Sequence, residues 1–390
     1  MSHVDLKALR AAVEARHPRY LAELGQLVDI DCGSYTPAGV NRVADFVAGA
    51  LAELGATVQR TPHAPGADEA QLGDLVVGRL KGSGPRLLLI GHMDTVFPEG
   101  TAAERPFRTD GDRALGPGTS DMKGGLLAGL HAVAALLATG AEPDLTFVAN
   151  PDEEIGSPFS TLHIRALTAS HDVALVLESA RANGDIVSAR KGIADYEILI
   201  TGRAAHAGVE PEKGRSAILE AARQVVALHR LNGRWPSVTL NAGVIEGGTR
   251  PNVVAESCRI ELDLRAATAG AFDIAAAEVS RIVEHPSIEG VTTQLRRVAH
   301  HPPMERTPAA GRLAQLASGI GAELGFTVRD TATGGASDGN TTSAAGLPTL
   351  DGLGPIGGDD HSVDEWLDLA SVVPRTTLLA GLMARVGDAL

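Results

Sequence analysis

Three aliphatic runs in this chain stop abruptly on side chains that cost free energy to bury. LLLI at 87–90 runs into Gly91, His92, Met93 and Asp94. LTFVAN runs into Asp152, Glu153 and Glu154, and VALVL runs into Glu178. Such runs read as strands buried on both faces. Helical patterns separate them: Asn41 to Leu54, closed by Gly55, and the Ala/Leu-rich stretch from Met122 to Ala138, closed by Gly140. This alternation builds an α/β sheet covered by helices. Ligands in such sheets gather at the carboxyl ends of the strands, so the polar stops converge on one edge. A strand alternates its faces, so His92 and Asp94 point the same way. Alone, that pair is either a polar cap in a loop or part of a metal site.

After Lys191-Gly192 the pattern changes. Strands are expected at Asp195 to Thr201, Val238 to Ile245, Ala255 to Arg265 and Val291 to Arg297. Helices are expected at Arg215 to Leu231 and Ala271 to His285. The order β-α-β-β-α-β is the split-βαβ, ferredoxin-like arrangement. Pro302-Pro303 marks its exit, and a helix from Gly311 to Leu324 and a strand from Thr327 to Arg329 resume the first domain. The chain therefore reads as a catalytic domain of residues 1–191 and 303–390 with an α+β domain, 192–302, inserted in it.

A chain of 390 residues, 44% hydrophobic and 21% charged, can bury two cores. With only 3% aromatics, those cores must be mostly Ala, Val and Leu. The net charge of −14 argues against a nucleic acid as partner, because phosphate binding needs a basic surface. Cys32 and Cys258 form no CxxC pair, which favours a reducing compartment. The N-terminal stretch reads as an amphipathic helix rather than a signal peptide, and no apolar run approaches the length of a membrane span. No membrane partner and a cytoplasmic location are expected.

The remaining polar clusters also fall where strands end. Asp121, in GPGTSDMKGG, occupies an N-cap position and could be an ordinary cap. The adjacent carboxylates of Asp152, Glu153 and Glu154 repel one another and call for a positive neighbour, unless the loop is simply solvated. GGDDHS supplies His361. As a set, His, Asp and Glu without cysteine suit zinc, or cobalt or manganese. His92, Asp121, Glu154, Glu178 and His361 suffice for two metals if Asp121 bridges them. A pair roughly 3.5–4 Å apart activates water and polarises a carbonyl. Glu153 is then left as general base and acid, and Asp94 can accept a hydrogen bond from the other ring nitrogen of His92.

The motifs HMDTV, GPGTSDMKGG, NPDEEIGS, LES, GRAAHAG, RPNVV and GGDDHS together resemble the co-catalytic zinc aminoacylase and carboxypeptidase family, in order and over nearly the whole chain. GHMDTVFPEGT, PFRTDGDRALGPG and GGASDGN look most like its glutamate carboxypeptidase members. The resemblance implies a mixed-sheet dinuclear zinc-peptidase domain holding two Zn2+ per subunit. His92 and Glu178 would hold one and Glu154 and His361 the other, with Asp121 bridging and Glu153 shuttling the proton. It implies a cis peptide at Asp121–Met122; Met122 departs from the Asn or Asp that many members carry there. The inserted domain would be a lid and dimerisation domain, giving a homodimer in which His206 reaches the partner subunit's active site to stabilise the oxyanion. Asn252 would contact substrate and Arg265 would bind its free carboxylate, with Arg250, Gly334 and Gly335 as further substrate contacts. Without the resemblance, His206 is a turn histidine and Arg265 a strand-end charge.

Lys123 and Lys191 read as structural. The other histidines, from His3 to His301, have no partner motif. The expected activity is metal-dependent cleavage of an amide bond in a small substrate or peptide, releasing a C-terminal amino acid. The alternatives are an N-acyl-amino-acid deacylase of the acetylornithine deacetylase or desuccinylase type, or a metal-binding protein without turnover. The unligated Glu153 argues against the last.

Overall fold

The computed structural model describes residues 5–390, so His3 and the start of the expected N-terminal helix lie outside the described residues. Two compact units emerge. The first comprises the described residues up to Ser188 with Arg306–Ala332 and Ser337–Leu390. The second is Ala189–Glu305 with Thr333–Ala336. The sequence pattern sets this boundary at 192–302, because the short return at Thr333–Ala336 carries no periodicity of its own.

The first unit is built on a six-stranded mixed sheet in the order Thr57–Thr61, Leu75–Leu80, Pro143–Asn150, Ser83–His92, Val173–Val176, Thr349–Leu350. The last four strands are mutually parallel, and the first two are antiparallel. Period two assigns the side chains. Leu87 and Leu89 join one core with Leu126, Leu127, Phe147 and Leu175, whereas Leu88 and Ile90 join another with Val148, Ile164 and Val176. A sheet buried on both sides needs such unbroken aliphatic runs, and each fully buried Leu or Ile contributes about 1.5–3 kcal/mol. Because Ser83–His92, Pro143–Asn150 and Val173–Val176 run parallel, their carboxyl ends share one edge. His92, the Glu153–Glu154 turn and Glu178 follow from that edge. The helix Gly124–Ala138 starts beside it: a Cβ on Gly125 would lie 1.9 Å from Leu177 O, so only glycine lets the helix come this close.

The second unit is a four-stranded antiparallel sheet in the order Thr239–Gly247, Ser257–Ala266, Gly192–Thr201, Thr292–His301. Ala194, Tyr196, Ile198 and Ile200 alternate onto one face and pack with Ala221, Leu228, Phe272 and Val279 of the helices Ala217–His229 and Ala269–Val283.

Several expectations are corrected. Asp121 is not a helix cap: it lies at non-helical angles in the turn Thr119–Lys123, before the helix proper begins at Gly124. The peptide bond Asp121–Met122 is cis. Thr327–Arg329 is not a strand; the strand is Asp330–Thr333, and the preceding Arg329 only accepts the Ile186 N–H at 2.9 Å. The edge strand Thr57–Thr61 carries Thr, Gln and Arg and gave no apolar signal. Two helical stretches, Thr119–Ala138 and Leu369–Asp388, are in fact long and apolar enough to cross a membrane by composition. Their apolar windows are 83% and 67% buried within the protein, the pattern of core helices.

Candidate active site

Two histidines face the two oxygens of one carboxylate. His92 Nε2 lies 3.0 Å from Asp121 Oδ1, and His361 Nε2 lies 3.1 Å from Asp121 Oδ2. Each histidine has a second acid beside it: Glu178 Oε1 is 3.7 Å from His92 Nε2, and Glu154 Oε2 is 3.1 Å from His361 Nε2. Ligand atoms of His92, Asp121 and Glu154 all fall within 4.8 Å of one another. Glu154 Oε1 is buried without a hydrogen-bond partner. A buried, unpaired carboxylate oxygen is costly unless a cation takes it, and this oxygen and nitrogen donor set fits a divalent ion of the zinc type.

The electrostatics point the same way. Burial works against a charged His92, yet the carboxylates of Asp121, Asp94 and Glu178 hold its pKa well above the ordinary histidine value. Asp121 and Glu154 push His361 up to about 11. Burial opposes ionisation of Asp121, but the bonds to His361 and His92 keep it well below the usual carboxylate range. Glu153 is raised well above its ordinary value, first by burial and then by the charges of Glu178, Asp338 and Glu154, with His92 opposing. Its carboxylate has no hydrogen-bond partner among the described residues. Five acids crowd two histidines here, an excess of negative charge that divalent cations neutralise.

Asp94 does a second job besides the pairing with His92 that its spacing suggests. The Nδ1 of His92 meets the main-chain oxygen of Asp94 at 3.0 Å, with the carboxylate farther off at 3.4 Å. That carboxylate accepts the Ser34 hydroxyl at 2.6 Å and the N–H groups of Glu153 and Glu154, both at 3.1 Å. It therefore holds the turn that presents both glutamates.

Other residues support the site, and of these Glu365 gave no signal in the sequence. Glu365, 2% exposed, accepts main-chain N–H groups of the Asp121 turn, and burial pushes it up to about 7. Asp338, in the GGASDGN stretch, accepts from Asn150 at 2.6 Å and from Ser157 at 2.7 Å, which ties a helix start to the end of strand Pro143–Asn150. Burial raises Asp338 to about 6. The buried Lys123 donates to Ile30 O and Pro117 O.

The expected substrate and oxyanion residues lie in the second unit. His206 is exposed and pairs as an isolated bridge with Val253, and Ala207 N–H donates to Asn252 O at 3.0 Å. His206 and Asn252 are thus neighbours. Arg250, two residues before Asn252, is exposed. The Nε of Arg265 is 3.0 Å from both oxygens of Asp263, and its Nη1 donates to Gly334 O at 2.8 Å. Gly335 O accepts from Arg190 at 3.2 Å.

Residues 88–385 match Peptidase family M20/M25/M40. The chain belongs to this family. It is similar to carboxypeptidase G2 of Pseudomonas sp. (strain RS-16), 30% identical over 382 residues, covering 96% of this chain and 91% of that one. It is also similar to a succinyl-diaminopimelate desuccinylase of Paracidovorax citrulli, 27% identical over 367 residues, covering 88% of this chain and 92% of the other. A tripeptidase of Staphylococcus aureus shares the fold, with a TM-score of 0.78 at 21% identity, covering 95% of this chain and 99% of that one. As an M20 peptidase the chain is a metal-dependent hydrolase of amide bonds.

Proposed function

We propose that this M20 peptidase is a dinuclear zinc enzyme of the carboxypeptidase type, which releases a C-terminal amino acid from a small amide substrate. The observation that carries the reading is Asp121, whose two oxygens each face a different histidine while Glu154 Oε1 is buried without a partner. In this reading His92 and Glu178 hold one ion, Glu154 and His361 the other, and Asp121 both. When bound, the metal pair supplies Lewis acidity and water of lowered pKa. Glu153 takes the proton from the attacking water and returns it to the leaving amine nitrogen. Its unpartnered carboxylate and raised pKa suit a group that works in both directions. Asp94 keeps Glu153 and Glu154 in register with each other.

In the second unit, His206 would stabilise the oxyanion from the partner subunit. Asn252, Arg250 and the Gly334-Gly335 backbone would contact substrate. Arg265, already oriented by Asp263 and Gly334, would receive its carboxylate. The homodimer is supported by the edge strand Thr239–Gly247 and by the exposed Ile218, Val226 and Ile245 in this unit. Free, buried Cys32 and Cys258 favour a reducing compartment such as the cytoplasm. The likeness to the desuccinylase supports N-acyl-amino-acid deacylation as the second reading.

A panel of dipeptides and N-acyl amino acids, assayed with zinc, cobalt or manganese and with a chelator, tests this. Chelator-sensitive release of the C-terminal amino acid is expected, with acyl-glutamates among the substrates. Turnover confined to short N-acyl groups would favour the deacylase. No release from a metal-loaded protein would sink the catalytic assignment of this centre.

A further inference from the structure

Glu365 is buried in the first unit, at the start of the strand Trp366–Asp368 and four residues after His361. Among the described residues no lysine or arginine pairs with it. Its Oε2 accepts the Gly118 N–H at 2.9 Å, and its Oε1 accepts the N–H groups of Ser120 at 2.8 Å and Asp121 at 3.0 Å. The main chain there is irregular: Gly118 has a φ of 76° and Asp121 sits at φ −115°, ψ 95°. Such a segment cannot satisfy these N–H groups within a helix, and a buried unpaired N–H is rare. One carboxylate collects all three. Glu365 is itself anchored, because Trp366–Asp368 pairs antiparallel with Arg113–Leu115, the strand just before the turn.

We infer that Glu365 is a positioning residue for the bridging carboxylate: it locks the Gly118–Asp121 main chain so that Asp121 meets His92 and His361 at once. The same side chain ties the turn that carries Asp121 to the segment that carries His361. The inference rests on Asp121 as the shared ligand of the proposed metal pair. Among the described residues, the bonds of the Glu365 carboxylate go to main-chain N–H groups and not to the ligand side chains. Its removal disturbs the centre only by letting the Asp121 turn drift.

Glu365→Gln tests this, since the amide puts an N–H2 group against at least one main-chain N–H donor. Metal-free protein is titrated with Co2+ and followed by visible absorption and calorimetry. Glu220→Gln is the control. Glu220 is a buried carboxylate of the second unit that likewise accepts main-chain N–H groups, from Ser287 at 3.0 Å and Ile288 at 3.1 Å. The wild type is expected to take two Co2+ per chain. E365Q is expected to weaken Co2+ binding about 10- to 100-fold, the usual effect of losing a group that orients a ligand, and to alter the Co2+ absorption bands. E220Q is expected to leave the Co2+ affinity unchanged, since one amide oxygen can still accept from Ser287 and Ile288.

E365Q with wild-type affinity and spectrum overturns the proposal alone, as does an equal loss of affinity in E220Q. A wild-type chain that takes up no Co2+ overturns the reading of the centre itself, and the proposal with it. Should E365Q fail to fold, Glu365→Asp keeps the charge but draws it back by one methylene. A smaller loss of Co2+ affinity in a folded E365D supports the inference, and wild-type affinity there overturns it.

Discussion

Arg375 lies on the helix Leu369–Arg385 with 2% exposure, and its replacement has a calculable outcome. Its guanidinium donates to three main-chain oxygens: Gly354 at 3.1 Å, Gly184 at 3.0 Å and Gly352 at 2.7 Å. Burial pulls its pKa from 12.5 down to about 10, with the charge of Asp185 opposing. At 1.36 kcal/mol per pKa unit, burying this charge costs about 3 kcal/mol. Three charge-assisted bonds at about 1.5–3 kcal/mol each offset burial only in part, since the pKa stays lowered. Arg375→Met removes the charge but leaves three buried carbonyls without a donor, at about 1–3 kcal/mol each, so the metal-free protein should lose a few kcal/mol, about 2–6. Gly354 N–H also donates to Glu178 O at 2.9 Å. The same substitution therefore loosens the chain around a proposed metal ligand, and Co2+ affinity should fall with stability. Urea unfolding followed by far-UV circular dichroism measures the first effect, and Co2+ titration the second. Arg375→Lys keeps the charge but not the three-way fork, and should fall between the two. An Arg375→Met variant within about 0.5 kcal/mol of wild type, the range of ordinary surface changes, would refute this account of the buried guanidinium.

Glu153→Gln should keep both metals and lose at least about 100-fold in kcat, the lower end of what general acid–base catalysis contributes; near-wild-type turnover in the metal-loaded variant would remove Glu153 from the mechanism. His361→Ala should bind one divalent ion fewer than wild type by calorimetry, and retention of both ions would count against His361 as a ligand. Asp172 is held down to about 2 by its hydrogen bonds to Arg86, below the ordinary carboxylate value of about 3.9. Its stabilising contribution is therefore present above about pH 4 and lost as pH falls towards 2. The stability gap between wild type and Asp172→Asn should shrink across that window in urea melts, and a gap independent of pH would contradict the pairing. Dialysis against a chelator should abolish hydrolysis, and added Zn2+ or Co2+ should restore it.

Local sequence determined the elements and the chemistry of the site. Aliphatic runs with parallel neighbours must bury both faces, so their polar stops had to meet at one edge, and His92, Glu154 and Glu178 were legible there. The β-α-β-β-α-β order of the second unit was legible too, because the strands Gly192–Thr201 and Ser257–Ala266 alternate and each helix has its own apolar face. Tertiary structure alone decided how the site residues are held. Asp94 turns its carboxylate to Ser34 and the Glu153–Glu154 turn, 59 and 60 residues away in the chain. Glu365 reaches back 244 to 247 residues to the Asp121 turn, and Arg375 reaches 191 residues to Gly184. Single polar side chains that satisfy distant main-chain groups leave no periodic trace, because a hydrogen bond needs only one partner in range and chain separation is irrelevant to it. The helix-cap expectation for Asp121 failed for the same reason: its carboxylate found two histidines, 29 and 240 residues away, instead of the N–H groups next to it.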